Sequence, residues 1–351
     1  MKTPSPVVQK PVVDALAFVL PWGTDCSTGE QARKVEPLLL RLAREIENGV
    51  CKRAYANSGR YRESSRIHFG TRHHAFVQIG AVRPDNQNGG IRISVNPARF
   101  IDDDVQHLHA VMQRIVGREY HKLLLRPLLN RIDFAVDVHH ANLDQMLVNY
   151  QHAQLRTIFG KRVSTIGRIE GYNFGSASSD YMEVAYGKSG ERVHAAIRNL
   201  LKNGNQSEAL RENAIRRLKT ARDSPDTMRV EVRGKKMRGL HLWELDALPN
   251  RFARFQFADL SQGGTELPEV LAAAFHALCQ QRGVRATLEL FKKTRQSNQV
   301  LKYWQSRQAS WWQPESLWAD ACNALQEIGL FPDEAFTKPR VRNLARSSAP
   351  K

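Results

Sequence analysis

Three short stretches of the chain combine residue types that can act on a phosphodiester. The first is NRIDFAVDV, residues 130–138. Alternate residues of an extended strand share a face, so Arg131, Asp133, Ala135 and Asp137 point one way. Ile132, Phe134, Val136 and Val138 point the other way, toward a core. The two carboxylates on this face are expected to reach one divalent cation, and oxygen ligands suit Mg2+ or Mn2+. Taken alone, the pattern fits a solvated polar face with an Arg–Asp pair at least as well. The second stretch, TMRVEVRGKK at 227–236, sets Thr227, Arg229, Glu231 and Arg233 on one face against Met228, Val230 and Val232. Glu231 is either an ion-paired acid or a third metal ligand between phosphate-binding arginines. The third, DYMEVAYGKSGE at 180–191, puts Tyr186 and Lys188 on one strand face ahead of a basic helix. A tyrosine hydroxyl can attack a phosphodiester when a nearby cation favours the phenolate and a metal polarises the phosphate.

Other motifs carry less. GKS at 187–189 lacks the glycine of a phosphate-binding loop, because that position is Met182. His107 and His109 would face one side of a strand, but they follow Asp102, Asp103 and Asp104 in a helical pattern. There, residues two apart diverge by roughly 200°, so the triplet reads as a helix with one exposed histidine. His73–His74 and His139–His140 are adjacent pairs and point to opposite faces. Trp304, Trp311, Trp312 and Trp318 can stack unpaired bases, although at least two of them are expected in a core.

The elements that position these residues follow from periodicity. Strands are expected at 11–20, 60–69, 74–82, 91–95, 129–138, 165–174, 181–188 and 228–234. Helices are expected at 31–48, from about 104 to 125, at 142–156 and, as one long basic helix, at 191–222. After about residue 239 the pattern is helical to 329. This gives an α+β fold: a mixed or antiparallel sheet domain with flanking helices at 1–238, a smaller all-helical C-terminal domain at 239–337, and a basic, disordered tail at 338–351.

Composition narrows the class. Among the 351 residues, 52 Lys and Arg stand against 35 Asp and Glu, a net charge of +17. Such an excess attracts polyanions, nucleic acid above all. Residues 192–238 hold 13 Lys/Arg and five Asp/Glu, a net of +8, and Arg216, Arg217 and Lys219 are expected to track phosphates. Cysteines 26, 51, 279 and 322 show no CxxC spacing, so neither a zinc ribbon nor a redox motif is offered and a reducing cytoplasm is expected. The apolar run Val12–Leu20 is interrupted by Asp14 and is too short to span a bilayer, so no membrane partner is expected.

Taken in order, these segments resemble the gene II/X replication initiators of filamentous phages and, more distantly, the initiators of staphylococcal rolling-circle plasmids. The resemblance is carried by VVDALAFVLPW (12–22), IRISVNPARF (91–100), NRIDFAVDV, VAYGKSGE (184–191), MRVEVR (228–233) and SLWADACNALQEIGL (316–330). It implies a site- and strand-specific DNA endonuclease that forms a 5′-phosphotyrosine intermediate, leaves a 3′-OH primer and religates the displaced strand. It implies Tyr186 as nucleophile, Lys188 as a helper near the phosphate, and Asp133 and Glu231 as metal-site acids. Asp137 is added on the plasmid-type pattern. Arg131, Arg229 and Arg233 are the arginines expected on DNA. The implied partners are double-stranded origin DNA, single-stranded DNA, and a host helicase and polymerase, with Mg2+ or Mn2+ as cofactor. Plasmid-type relatives often place a basic residue two before the tyrosine, where this chain has Val184. The competing readings are a non-enzymatic DNA-binding regulator of a phage or mobile element, and a conjugative relaxase. Against the relaxase, the chain lacks a strand-borne histidine cluster and a helicase-sized extension.

Overall fold

Alternating apolar and polar residues make the strands, and the computed structural model shows where they go. It describes residues 4–22, 28–55, 59–70, 73–83, 90–101, 103–159, 162–163, 166–167, 170–203, 208–261 and 264–339. Cys26, Asp102 and the tail beyond residue 339 lie outside the described residues. The strands are β1 (Val7–Val8), β2 (Val12–Leu20), β3 (Cys51–Arg53), β4 (Tyr61–Phe69), β5 (His73–Ala81), β6 (Ile91–Val95), β7 (Leu128–His139) and β8 (Met146–Tyr150). They continue with β9 (Arg156–Phe159), β10 (Arg162–Val163), β11 (Ile166–Gly167), β12 (Gly171–Phe174), β13 (Tyr181–Gly187), β14 (Thr227–Gly234), β15 (Leu240–His241) and β16 (Phe255–Asp259). The fold class is α+β, as expected. The packing makes two units: one takes described residues from 1–15, 131–237 and 249–324, the other from 16–130, 238–248 and 325–351. Segments are thus interleaved rather than divided at residue 238.

In the second of these units the strands run β3-β4-β5-β6-β2, each pair antiparallel. Helices Thr28–Glu47 and Asp104–Val116 belong with it. Glu45, nearly buried, accepts a two-pronged hydrogen bond from Arg114, at 3.0 Å from Nε and 2.9 Å from Nη2. The helix after the aspartates is shorter than expected. Gly117, at φ 89°, ends it, because only glycine enters that region without strain. A separate turn of helix then follows at Tyr120–Leu124. His107 is exposed on the first helix, while His109 is half-buried with its Nδ1 2.9 Å from the Tyr120 hydroxyl.

The first unit carries the order β7-β14-β13-β12-β9, with β1 beside the end of β7. The apolar face of β7 is covered by aromatic packing. Phe134 meets Trp318 of helix Pro314–Glu327 edge to face at 5.7 Å, and Trp318 also meets Phe252. All four tryptophans expected as base-stacking candidates instead pack on protein: Trp304 and Trp312 are buried, and Trp311 stacks on Phe257.

Three expectations fail here. Residues 142–156 are not a helix. Asn142 Oδ1 accepts from Asp144 N at 3.0 Å, closing a short turn, and β8 follows, paired antiparallel with β16. The C-terminal region is therefore not all helical. MLVNY is an apolar run without clear alternation, which periodicity alone cannot assign. The expected single basic helix is two, Lys188–Asn203 and Glu208–Asp223.

Helices Glu269–Arg282, Val284–Phe291 and Ser297–Ser306 pack onto β8 and β16 through one cluster that includes Leu147, Ala258, Phe275, Val300 and Trp304. Arg156 of β9 donates to the carbonyls of Cys279 and Gln280 at 3.0 and 2.9 Å, capping the end of the first of these helices. Phe275 is fully buried at the centre of the cluster. Phe275→Ala removes that side chain and leaves a cavity, so it should cost about 3–5 kcal/mol of stability. Urea unfolding, followed by tryptophan fluorescence, checks this.

Candidate active site

The register of three neighbouring strands sets the site. Asp137, Arg229 and Tyr186 pair in one row across β7, β14 and β13. Ala135, Glu231 and Val184 make the next row, and Asp133, Arg233 and Met182 the one after. Directly paired side chains share a face, so the three chemically informative stretches present their polar residues to one side of the sheet. Two further features fix the tyrosine end. Helix Lys188–Asn203 starts immediately after Gly187. Ser189 Oγ accepts from Thr227 N at 2.8 Å and donates to Pro225 O at 3.2 Å, tying the helix start to the first residue of β14.

Tyr186 donates its hydroxyl hydrogen to Glu231 Oε1 at 2.8 Å. The other oxygen, Oε2, accepts from Arg233 Nε at 2.6 Å, and Arg233 Nη2 is also in contact. Glu231 is 2% exposed. Burial, then the Glu231 charge and hydrogen bond, push the Tyr186 phenol well above its ordinary range, while Arg229 acts in the opposite direction. The resting tyrosine is therefore neutral, with its proton already directed at a carboxylate.

Asp133, also 2% exposed, accepts from Arg131 Nε at 3.0 and 3.1 Å, with Arg131 Nη2 closer still. Burial raises its pKa, although Arg131 and Arg233 oppose this. Asp137 sits in a different setting. It accepts from Arg229 Nε at 2.5 Å and Nη2 at 2.9 Å, and from Lys188 Nζ at 3.3 Å, with Arg192 Nη2 at 4.0 Å. Burial pushes its carboxyl up, but Arg229 and Lys188 outweigh that and hold it below the usual range. Lys188 is lowered by burial and by the Arg229 charge.

This arrangement corrects the three-acid metal site. Asp133 and Asp137 lie four residues apart on one strand, about 13 Å, beyond a common cation. Asp137 is committed to Arg229 and Lys188 instead. Among the described residues no group of three or more His, Cys, Asp or Glu is placed to hold a metal. Asp133 and Glu231 do fit a smaller site. They are diagonal neighbours on adjacent strands, about 7 Å apart, and Mg2+ is commonly held by one or two carboxylates with water and phosphate oxygens completing its shell.

The arginines differ from expectation as well. Arg229 is nearly buried between carboxylates, while Arg131 and Arg233 each cover an acid. Arg216 and Lys219 are exposed on helix Glu208–Asp223, and Arg217 is partly so. The rival tyrosines are otherwise engaged: Tyr172 is buried beside Phe174, and the Tyr181 ring lies 3.5 Å from the Arg251 guanidinium. Sequence reasoning missed Asp14, whose Oδ1 accepts from Arg229 Nη1 at 3.1 Å, and Arg192. Each left a signal: Asp14 is the one acid in an apolar strand, and Arg192 follows Lys188 by one helical turn.

No family model matches the sequence, and no curated protein matches it. Among solved structures, the chain is similar to a rolling circle replication initiator protein from Geobacillus stearothermophilus, at 12% identity over 90% of this chain and 97% of that one, with a TM-score of 0.35. Among the described residues, no helix is long and apolar enough to cross a membrane.

The two aspartates should differ in their effect on stability. A carboxyl held low in the fold stabilises above its unfolded pKa, and that stability is lost as pH falls through the depressed value. A carboxyl raised in the fold works the other way, so its ionised form is a burden near neutral pH. Near neutral pH, Asp137→Asn should cost about 3 kcal/mol by leaving buried cations unpaired, and the gap should close in acid. Asp133→Asn should leave stability unchanged or raise it. Urea midpoints measured across the acid range give both signs.

Proposed function

We propose that this protein is a rolling-circle replication initiator, which nicks one DNA strand with Tyr186 and remains joined to it. The carrying observation is the hydrogen bond from the Tyr186 hydroxyl to Glu231, inside a sheet face ringed by Arg131, Arg229, Arg233 and Lys188. The resemblance to phage and plasmid initiators supplies the reaction. In the cleavage step the Tyr186 proton passes to Glu231 Oε1 while the phenol oxygen forms a bond to the scissile phosphorus. The P–O3′ bond breaks, and the 3′ oxygen takes a proton from Lys188, whose hold on it burial has weakened. A 3′-OH is freed and the 5′ phosphate stays on the tyrosine. Glu231 returns the proton when the displaced strand is religated, so one carboxylate serves both directions.

Asp133 and Glu231 are the residues that would hold Mg2+ or Mn2+, displacing Arg131 and Arg233. The ion's contribution would be Lewis-acid polarisation of the scissile phosphate. The freed 3′ end would then serve a host polymerase, with a host helicase unwinding ahead of it.

A randomised DNA pool makes the test independent of the origin sequence. The protein is incubated with Mg2+ and a pool of randomised, 3′-labelled single-stranded oligonucleotides, and SDS-resistant adducts are recovered, sequenced and peptide-mapped. Wild type should yield a labelled adduct on Tyr186 that disappears with chelator and in Asp133→Asn. Tyr186→Phe should fold and bind DNA but form no adduct. An adduct on Tyr172 or Tyr181, or one formed by Tyr186→Phe, overturns the assignment.

Binding is expected to use the exposed cations of helix Glu208–Asp223. Every phosphate that the protein ceases to neutralise lowers the salt dependence, so replacing Arg216, Arg217 and Lys219 with Ala should flatten the slope of log affinity against log salt by about two to three units. Fluorescence anisotropy over a salt series measures it.

A further inference from the structure

A lone acid in the apolar strand VVDALAFVL has no obvious place, since a buried charge is costly unless it is paired. Asp14 is that acid, and its side chain is 28% exposed. Its partner is Arg229, whose side chain is 10% exposed and whose guanidinium is held on two sides. Nη1 donates to Asp14 Oδ1 at 3.1 Å, while Nε and Nη2 donate to Asp137 at 2.5 and 2.9 Å. Arg229 is also the direct cross-strand partner of Tyr186.

We propose that Asp14 is a positioning residue for the tyrosine chemistry: together with Asp137 it clamps the Arg229 guanidinium, keeping that charge beside the Tyr186 hydroxyl. This rests on the reading of Tyr186 as nucleophile. The reason two carboxylates are needed lies in competition. Asp137 is shared with Lys188 and approached by Arg192, and an arriving DNA phosphate is a further acceptor for any of these cations. Asp14 holds Arg229 through Nη1, which Asp137 does not bond, while Asp137 is contested. Arg229 then remains available to balance the negative charge that grows on the phenol oxygen.

Tyr186 faces Glu231 and Arg229 from β14 and Glu191 from helix Lys188–Asn203. Arg229 faces Asp137 from β7, Asp14 from β2 and Lys188 from the helix.

The experiment compares Asp14→Ala with Asp14→Asn in the full-length protein, using one oligonucleotide recovered as an adduct from the randomised pool. Asparagine keeps an oxygen for Arg229 Nη1, and alanine does not. Asp14→Ala should slow adduct formation about ten- to a hundred-fold, while Asp14→Asn keeps most of the rate. Equal rates in all three proteins overturn the proposal. If Asp14→Ala does not fold, Asp14→Ser takes its place, its hydroxyl being too short to replace the carboxylate. Exchange of the Arg229 Nη protons, followed by NMR on arginine-labelled protein without DNA, decides the clamp independently of nicking. Faster exchange in Asp14→Ala upholds it, and unchanged exchange overturns it. A wild-type protein that forms no adduct would count against Tyr186 as nucleophile and leave the clamp to be decided by that exchange.

Discussion

Glu231 is held almost wholly away from water, and its carboxylate lies between a guanidinium and a phenol. A buried charge is tolerated only when its partners are close and well aimed, and much else in this region follows from meeting that condition. Arg233 must lie two residues along the same strand to reach Oε2. Tyr186 must sit on the neighbouring strand, one pair step away, to reach Oε1. Both requirements fix the register between β13 and β14, and a slip of one residue would turn every one of these side chains to the opposite face. The same register delivers Arg229 opposite Asp137 on β7. Neutralisation of buried acids and alignment of three strands are therefore one constraint seen at two scales.

Beneath that face, the strands are anchored by apolar packing. Phe134 is the neighbour of Asp133 in sequence yet points into the aromatic contacts around Trp318 and Phe252. The alternation along β7 thus gives the strand one side that cannot leave the core and another that holds charge. Gly234 closes β14 where any larger residue would crowd Ile132 O at 3.1 Å and Met237, so the end of the charged strand also lies tight against its neighbour.

Much of this was legible in the sequence. The strands carrying Asp133, Tyr186 and Glu231 all show period-two alternation, and each stands within a residue or two of the expected bounds. The helical reading of His107 and His109 holds as well. What escaped depends on partners far away in the chain. MLVNY is a strand because Phe255–Asp259 pairs with it, and nothing local to either segment announces the other. Between helices Lys188–Asn203 and Glu208–Asp223 the sequence reads NGNQS, a polar, glycine-containing run that the amphipathic residues on both sides mask. Asp137 was grouped with Asp133 and Glu231 for a related reason. Composition shows three acids on polar faces, but only the register shows that Asp137 stands in the row of Arg229 and Tyr186, apart from Asp133 and Glu231. Asp14 stood out in its strand, yet its partner lies 215 residues away.

The place of Tyr186 near the end of β13 has a mechanical side. That strand is hydrogen-bonded on both edges, to β12 and to β14, and the chain beyond it turns at once into a helix pinned by Ser189 to the start of β14. A pull on the Tyr186 side chain directed along the strand would load both ladders in shear, where many bonds resist together, rather than peel them open one at a time. A load applied at this residue along the strand would meet the sheet in its stiffest direction.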